Sequence, residues 1–399
     1  MADQASTIPK GWKMTTLGEV AEITSSKRIF AEEYLTSGIP FYRGKEIIEK
    51  FNRDEVSTGL FISENKFDEI KKKFGAPEIG EMLLTSVGTL GIPYLVKKNE
   101  QFYFKDGNLT WFKNFNGINN TFFYYWIISD LGKEQLASHT IGSTQQALTI
   151  FGLKSVSVFL PPLSEQIAIA AVLSSLDNKI ELLREQNKTL EVTAQAIFKE
   201  WFVNFNFPNA IDKMIDSELG EIPEGWRIGQ LGDEVKIVYG KNLPTESLTK
   251  SGYAVFGANG QIGFYDKFIY ERPQVLVSCR GEASGKVNIS LPESFVTNNS
   301  LVLEIADDSD LNFCFLKFFS LNNDYTNFVT GSAQPQITID SLKNCDLLIP
   351  KKEVMDLFNI TVEPMDKKQL SNFHQIQTLS ALRDTLLPKL MKGEIEVKI

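Results

Sequence analysis

Between Ile169 and Ile197 the chain carries an unbroken heptad seam, and this narrows the possible folds more than any other feature. Ile169, Leu173, Leu176, Ile180, Leu183, Asn187, Leu190, Ala194 and Ile197 follow one another in alternating steps of four and three. Eight of these nine positions are apolar, the a/d pattern of a helix that faces another helix. Asn187 is the exception, and a polar seam residue typically gives up stability to fix register and partner. Pro161-Pro162 stop what precedes, and Ser164, Glu165 and Gln166 supply an N-cap and first turn. A helix from Ile167 to Trp201 is roughly 50 Å long, and so narrow a seam needs a partner. The plainer alternative is an amphipathic helix lying on its own domain, although a strict 3.5-residue period suits a facing helix better than a sheet.

The partner is found in the same chain, because the chain repeats itself. IPKGW (Ile8 to Trp12) with Leu17-Gly18-Glu19-Val20 returns 214 positions later as IPEGW (Ile222 to Trp226), with Leu231-Gly232-Asp233-Glu234-Val235. GSTQQALTI (Gly142 to Ile150) returns 189 positions later as GSAQPQITI (Gly331 to Ile339). Between them Leu84 to Gly88, with Gly91, matches Val277 to Gly281, with Gly285, and the aromatic run Phe122 to Trp126 falls opposite Leu311 to Phe315. Repeats in the same order mean duplication, hence a pseudo-two-fold molecule. Adding 189 to the seam gives Phe358, Val362, Met365, Gln369, Asn372, Ile376, Leu379, Arg383 and Leu386, six of them apolar. A second long helix, Glu353 to Leu390, interrupted by Pro364, is therefore expected to run antiparallel to the first.

Periodicity and turn residues fill in an α+β fold of two similar mixed modules joined by two long antiparallel coiled-coil helices. The first module spans 1–160, the first long helix 161–207, a polar linker 208–221, the second module 222–350, and the second helix with its tail 351–399. Strands are expected at Glu19 to Thr24, Glu81 to Thr85, Pro93 to Lys97, Gln101 to Lys105 and Leu109 to Lys113. Phe41 to Gly44 reads as strand then turn, Glu64 to Phe74 as a helix capped by Ser63, and Asn119 to Leu131 as one aromatic helix. The second module repeats this with strands Val235 to Tyr239, Ala254 to Ala258, Gly263 to Phe268, Gln274 to Ser278 and Ser300 to Ile305, and the helix Leu311 to Leu321.

Composition limits the function. Cys279, Cys314 and Cys345 fit no disulfide frame or metal spacing and point to a reducing compartment, the cytoplasm. No membrane span or signal peptide is read. The net charge of −9 excludes a bulk basic nucleic-acid binder. Residues 8–160 are nearly balanced, with 18 basic against 17 acidic, so any contact with nucleic acid must be local or shared with a basic partner. His139 and His374 have no triad around them and are read as structural. Glu234-Val235-Lys236 resembles the E-x-K of a metal nuclease, but its place in the repeat, opposite Glu19-Val20-Ala21, explains it without catalysis. The chain is read as no enzyme, with no metal and no cofactor of its own.

What remains as a working surface is a set of polar loops at matched places. The first module has Arg28, Arg43, Lys45, Ser86, Thr89, Lys97, Lys98, Lys105 and Asn108. The second has Lys241, Asn242, Asn259, Gln261, Lys267, Arg280, Ser284, Lys286, Asn298 and Asn299. Arg, Asn and Gln read base edges in pairs of hydrogen bonds, while Lys, Ser and Thr hold phosphates. Ordinary hydrophilic loops would look the same by composition. Gly142-Ser143 and Gly331-Ser332 can be simple turns, although Gln145 and Gln334 at matched positions are unusual.

In this order, the duplicated IPxGW and GSxQ motifs, LPPLSEQIAIAAVLSSLDNKI (Leu160 to Ile180), IFKEWFVNFNFP (Ile197 to Pro208) and LLPKLMKGEIEV (Leu386 to Val397) resemble the specificity subunits of type I restriction–modification systems along essentially the whole chain. The resemblance implies two target-recognition domains, each reading one half of a bipartite double-stranded DNA target, and helices that set the spacing. It implies partners: two modification subunits, which carry S-adenosylmethionine and methylate adenine, and restriction subunits. In the second copy Pro350-Lys351-Lys352-Glu353-Val354-Met355 replaces PPLSEQ, so the second modification-subunit contact is expected to differ. The other class of reading is a structural adaptor with duplicated protein- or glycan-binding modules on a coiled-coil scaffold.

Overall fold

The computed structural model describes residues 9–142, 146–210, 213–305, 309–331 and 334–397. Ile8, Ser143, Gln145 and Ser332, named above, lie outside them. The chain divides into two compact units, Met1–Leu183 with His374–Ile399, and Arg184–Phe373.

In the first unit a four-stranded antiparallel sheet runs Glu22–Thr24, Leu109–Lys113, Met82–Thr85, Pro93–Leu95. A three-stranded sheet runs Phe61–Ile62, Ile39–Tyr42, Tyr103–Phe104, its last pair parallel, and Lys13–Thr16 pairs with Ser157–Leu160. The second unit has the same plan. Its four strands are Val235–Tyr239, Ser300–Ile305, Val275–Ser278 and Val287–Ile289, and its three are Gly260–Tyr265, Tyr253–Gly257 and Phe295–Val296. Arg227–Gln230 pairs with Asp346–Ile349. The repeat in sequence is a repeat in topology. Each four-stranded sheet buries a face under the aromatic helix of its unit, with Phe122, Phe123 and Trp126 in one and Phe315 and Phe318 in the other. Burial of each such ring contributes about 2–3 kcal/mol by transfer.

Several expected elements differ. Leu17–Val20 is a helical turn with Glu19 closing a capping box, so the strand begins only at Glu22. The turn expected at Arg43-Gly44 is the start of a helix, Gly44–Asn52, with Glu46 accepting from the Arg43 N–H at 2.7 Å. The aromatic helix stops at Ile128, and Ser129 caps a new one, Asp130–Ser138. That elbow needs Gly132, where a Cβ would sit 2.0 Å from the Trp126 carbonyl oxygen. The linker contains a hairpin, Met214–Ser217 with Gly220–Pro223.

The long helices are Leu163–Phe202 and Lys352–Met391. Pro364 does not interrupt the second. It is exposed, as is Ile360, whose carbonyl loses its intrahelical donor, so water can take that place. Neither helix forms a segment apart from the modules, because each unit takes half of both. In the first unit Asp177 pairs with Arg383 (2.9 Å), while Ile169 and Leu173 share a core with Leu390 and Met391. In the second, Asn187 meets Gln369 and Asn372, and Phe198 and Phe202 pack on Phe358, with ring centroids 5.8 and 5.0 Å apart. Numbers rise on one helix as they fall on the other, so the pair is antiparallel in each unit. Ile169, Leu173, Ile180, Leu183, Ala194, Phe358, Val362 and Asn372 are buried, and Leu176, Asn187, Leu190, Ile197, Met365, Ile376, Leu379 and Leu386 are half-buried, so the whole seam faces inward.

The motifs that open and close the repeats lock these ends. Gly393 (φ +66°) approaches so closely that a Cβ there would lie 2.5 Å from Pro9 Cγ and 3.2 Å from Trp12 Cζ2. Trp226 is packed by Phe205 and Phe207 at 5.4 and 5.3 Å. Gln166 is fully buried: its Nε2 donates to the Gly117 and Pro161 carbonyls (3.1 and 2.9 Å), and its Oε1 accepts from the Asn119 N–H (2.8 Å). Its counterpart in the second copy is Met355, buried among the aromatic rings, an apolar solution to the same joint.

Candidate nucleic-acid interface

The polar residues of the first unit gather where the two sheets end. Lys105 N–H donates to the Tyr42 carbonyl (2.8 Å), which places Lys105 beside Arg43. Ser86 N–H donates to the Asn108 carbonyl (2.8 Å), and Arg28 Nε lies 2.8 Å from Asp106 Oδ2. Arg28, Lys105, Asn108 and Thr89 thus stand on adjoining loops, with Arg43 and Lys45 at the start of the helix Gly44–Asn52 beside them. Arg43 is aimed by Glu46, whose buried carboxylate holds its Nη2 at 2.8 Å and raises the guanidinium above its usual pKa. Lys45 is exposed and 3.6 Å from Glu49. Ser86, expected on this surface, is not part of it. It is buried, and its hydroxyl is spent on the Leu84 carbonyl (3.2 Å) and on Thr110 (2.6 Å), so it shapes the loop from beneath. Lys97 and Lys98 belong elsewhere, on the rim of a cleft beside the first long helix.

The second unit repeats the arrangement with different side chains. Asn298 N–H donates to the Lys241 carbonyl (3.1 Å), Cys279 N–H to the Asn299 carbonyl (3.0 Å), and Ser278 N–H to the Lys286 carbonyl (2.8 Å). Lys241, Arg280, Lys286, Asn259, Gln261 and Asn299 are exposed, and Asn298 is half-buried. Asn259, Glu282, Gly285 and Lys286 help line an open recess of about 470 Å³. Ser284, like Ser86, is buried, and its hydroxyl donates to the Pro335 carbonyl (3.1 Å). Asn242 and Lys267 are exposed.

The two faces can be aligned through backbone bonds. The Ser86 carbonyl accepts from the Leu148 N–H (2.9 Å) as the Cys279 carbonyl accepts from the Ile337 N–H (3.0 Å). The next residues, Val87 and Arg280, bridge to Ala147 and Gln336 respectively. One backbone position therefore presents an apolar side chain in the first unit and an exposed guanidinium in the second, so the two faces do not offer the same chemistry.

Sequence reading missed the residues that set these groups. Asn288 Nδ2 donates to the Ala258 carbonyl (3.2 Å), fixing the turn that carries Asn259. Lys27, exposed and 5.2 Å from the Phe74 ring centroid, adds a cation beside Arg28. Glu46 was legible in principle as the third helical residue of a capping box. Glu234 is held by Arg227 (2.5 Å) and by the Ser309 hydroxyl (2.9 Å), and Lys236 pairs with Glu304 (3.4 Å). The E-x-K residues thus have structural partners. His139 Nδ1 lies 2.9 Å from the Gln135 carbonyl at a helix end.

The family described as the type I restriction modification DNA specificity domain matches residues 9–192 and again 223–385, most of the chain. The chain belongs to this family. It carries the domain twice, in agreement with the repeated topology. Among relatives, a type I restriction enzyme MjaIX specificity subunit of Methanocaldococcus jannaschii is 28% identical over an alignment 433 positions long, covering 98% of this chain and 95% of that protein. A HindI specificity subunit of Haemophilus influenzae is 23% identical, covering 96% and 99%. The crystal structure of a type I restriction–modification S subunit from M. genitalium shares the fold, with TM-score 0.64, 17% identity and 98% of each chain covered.

Proposed function

We propose that this specificity subunit reads a bipartite DNA duplex, one half-sequence per unit, while its long helices set the gap and dock two modification subunits. The observation that carries this reading is the same loop cluster at the same sheet ends in both units, bearing different side chains. A duplicated frame with unlike reading groups suits two unlike half-sites about one helical turn apart, ~34 Å. The chain contributes no catalytic group. S-adenosylmethionine belongs to the modification subunits, which work with restriction subunits in the cytoplasm. Near-balanced or acidic modules are tolerable because the partners add basic surface.

The test is co-expression with the modification subunits, followed by single-molecule methylome sequencing. A bipartite methylated motif with one gap length is expected. Insertion of one heptad into both long helices should lengthen the gap and leave both half-sequences unchanged. Altered half-sequences with an unchanged gap would sink the spacing role, and no sequence-dependent footprint would return the chain to the adaptor class.

A further inference from the structure

The helix Gly44–Asn52 is in use at both ends. Its start carries Arg43 and Lys45 of the polar face. Its other end is Arg53, the capping residue, held in the left-handed region (φ 66°). From there the Arg53 guanidinium reaches the first long helix, with Nη1 2.7 Å from Glu181 Oε2 and Nη2 3.9 Å from Asp177 Oδ1. Asp177 is itself held: Tyr125 Oη donates to it (2.7 Å), and Arg383 of the second long helix lies 2.9 Å away. Burial, and then Asp177, raise the Tyr125 phenol well above its usual value, so it stays protonated and donating. One rigid element thus runs from the polar face to the point where both long helices meet in this unit.

The ground beneath this clasp is open. A cleft of about 520 Å³ lies there, with Lys50 and Arg53 on one wall and Ser174, Asp177, Asn178 and Glu181 on the other. The second unit solves the same joint differently. Its equivalent strand, Tyr253–Gly257, runs into a hairpin rather than a helix. Lys317 of the aromatic helix, with 8% of its side chain exposed, closes the joint between Asp366 (2.9 Å) and Glu191 (3.3 Å). One module stands on a closed joint; the other leans on a strut across a cleft.

We propose that Arg53 is a positioning residue for target length. Its clasp on Glu181 and Asp177 fixes the angle at which the first recognition module stands on the long helices. It thereby sets how strictly the complex measures the gap, and it touches no base. The inference rests on the bipartite reading above. Both side chains of the closer pair are about one-third exposed, although Glu181 Oε2 itself is covered and has no hydrogen-bond partner among the described residues, so water screens the pair in part and its loss leaves the fold standing. The loss appears instead as angular freedom at the joint.

The experiment uses the full complex with its modification subunits and duplexes that share both half-sequences but differ in gap by one base pair either way. Arg53→Gln and Glu181→Gln should each lower the preference for the correct gap over its neighbours by about threefold to fivefold, the scale of one screened ion pair. Discrimination among half-sequences should not move. The exchange Arg53→Glu with Glu181→Arg should restore the gap preference. An unchanged gap profile in both single variants, or an exchange that restores nothing, overturns the inference alone. A wild-type complex with no bipartite preference overturns the functional reading and this inference with it.

Discussion

Replacing Asn187 with leucine should weaken the protein, and replacing Asn372 as well should strengthen it again. Asn187 Oδ1 accepts from Asn372 Nδ2 at 2.8 Å, and Asn187 Nδ2 donates to the Gln369 carbonyl at 3.3 Å. Asn372 is fully buried; its Nδ2 also donates to Gln186 Oε1 (2.9 Å), and its Oδ1 has no hydrogen-bond partner among the described residues. Asn187→Leu strands part of this amide, at about 1–3 kcal/mol. Burying leucine at a half-buried seam position returns roughly 1 kcal/mol. The single variant should therefore lose up to about 2 kcal/mol, a fall in Tm of about 2–4 °C per kcal/mol for a unit of this size. The double variant strands nothing, because Gln186 is exposed and Gln369 Nε2 keeps the Asn187 carbonyl at 3.0 Å. It should equal or exceed the wild type, with a coupling of about 1–2 kcal/mol. Urea unfolding of the four proteins, followed by circular dichroism and tryptophan fluorescence, measures the cycle. Additivity within about 0.3 kcal/mol, or a double variant weaker than both singles, would refute the reasoning.

Other perturbations separate the joints from the reading faces. Lys317→Met removes a buried cation and leaves the half-buried Asp366 and Glu191 facing each other, and should cost about 1–3 kcal/mol, read as a lower urea midpoint; a shift under about 0.5 kcal/mol would show the triad to be idle. Gln166→Ala removes three hydrogen bonds at a closed joint and should cost about 2–4 kcal/mol in the same assay, whereas Met355→Leu should cost under about 1.5 kcal/mol. Arg280→Ala should weaken recognition of one half-site only; an equal loss on all sequences would assign Arg280 to phosphate. Burial, with Asp366 next, pushes the Cys314 thiol up to about 12, so at pH 8 it should resist a thiol reagent until denaturant is added.

The long-range plan was legible because it is written in period and repetition. An a/d seam and motifs recurring 189 positions apart need no knowledge of loop geometry. Local features failed where tertiary context decided them. Gly44 looked like a turn, yet Glu46 closes a capping box and Ile47 buries completely, so the segment is helical. Pro364 looked like a break, yet it stands where only water needs the freed carbonyl. Ser86 and Ser284 looked like surface hydroxyls because they sit in glycine-rich polar loops. Their backbones turn them inward, and composition carries no sign of that. Arg53 passed unnoticed because its importance lies in reaching a helix far away in sequence.

The division of the two units along the chain also affects the order in which they can be completed. Residues 184–373 form one unit without interruption, whereas the other needs 374–397 to cover Ile169, Leu173 and Trp12. During synthesis the unit whose module comes second can therefore close first. The module made first must wait with its helix seam and its tryptophan uncovered, a period in which exposed apolar surface invites misassembly. Residues 1–373 carried on a stalled ribosome by an unstructured linker long enough to span the exit tunnel should show a protease-resistant second unit and a still-sensitive first one.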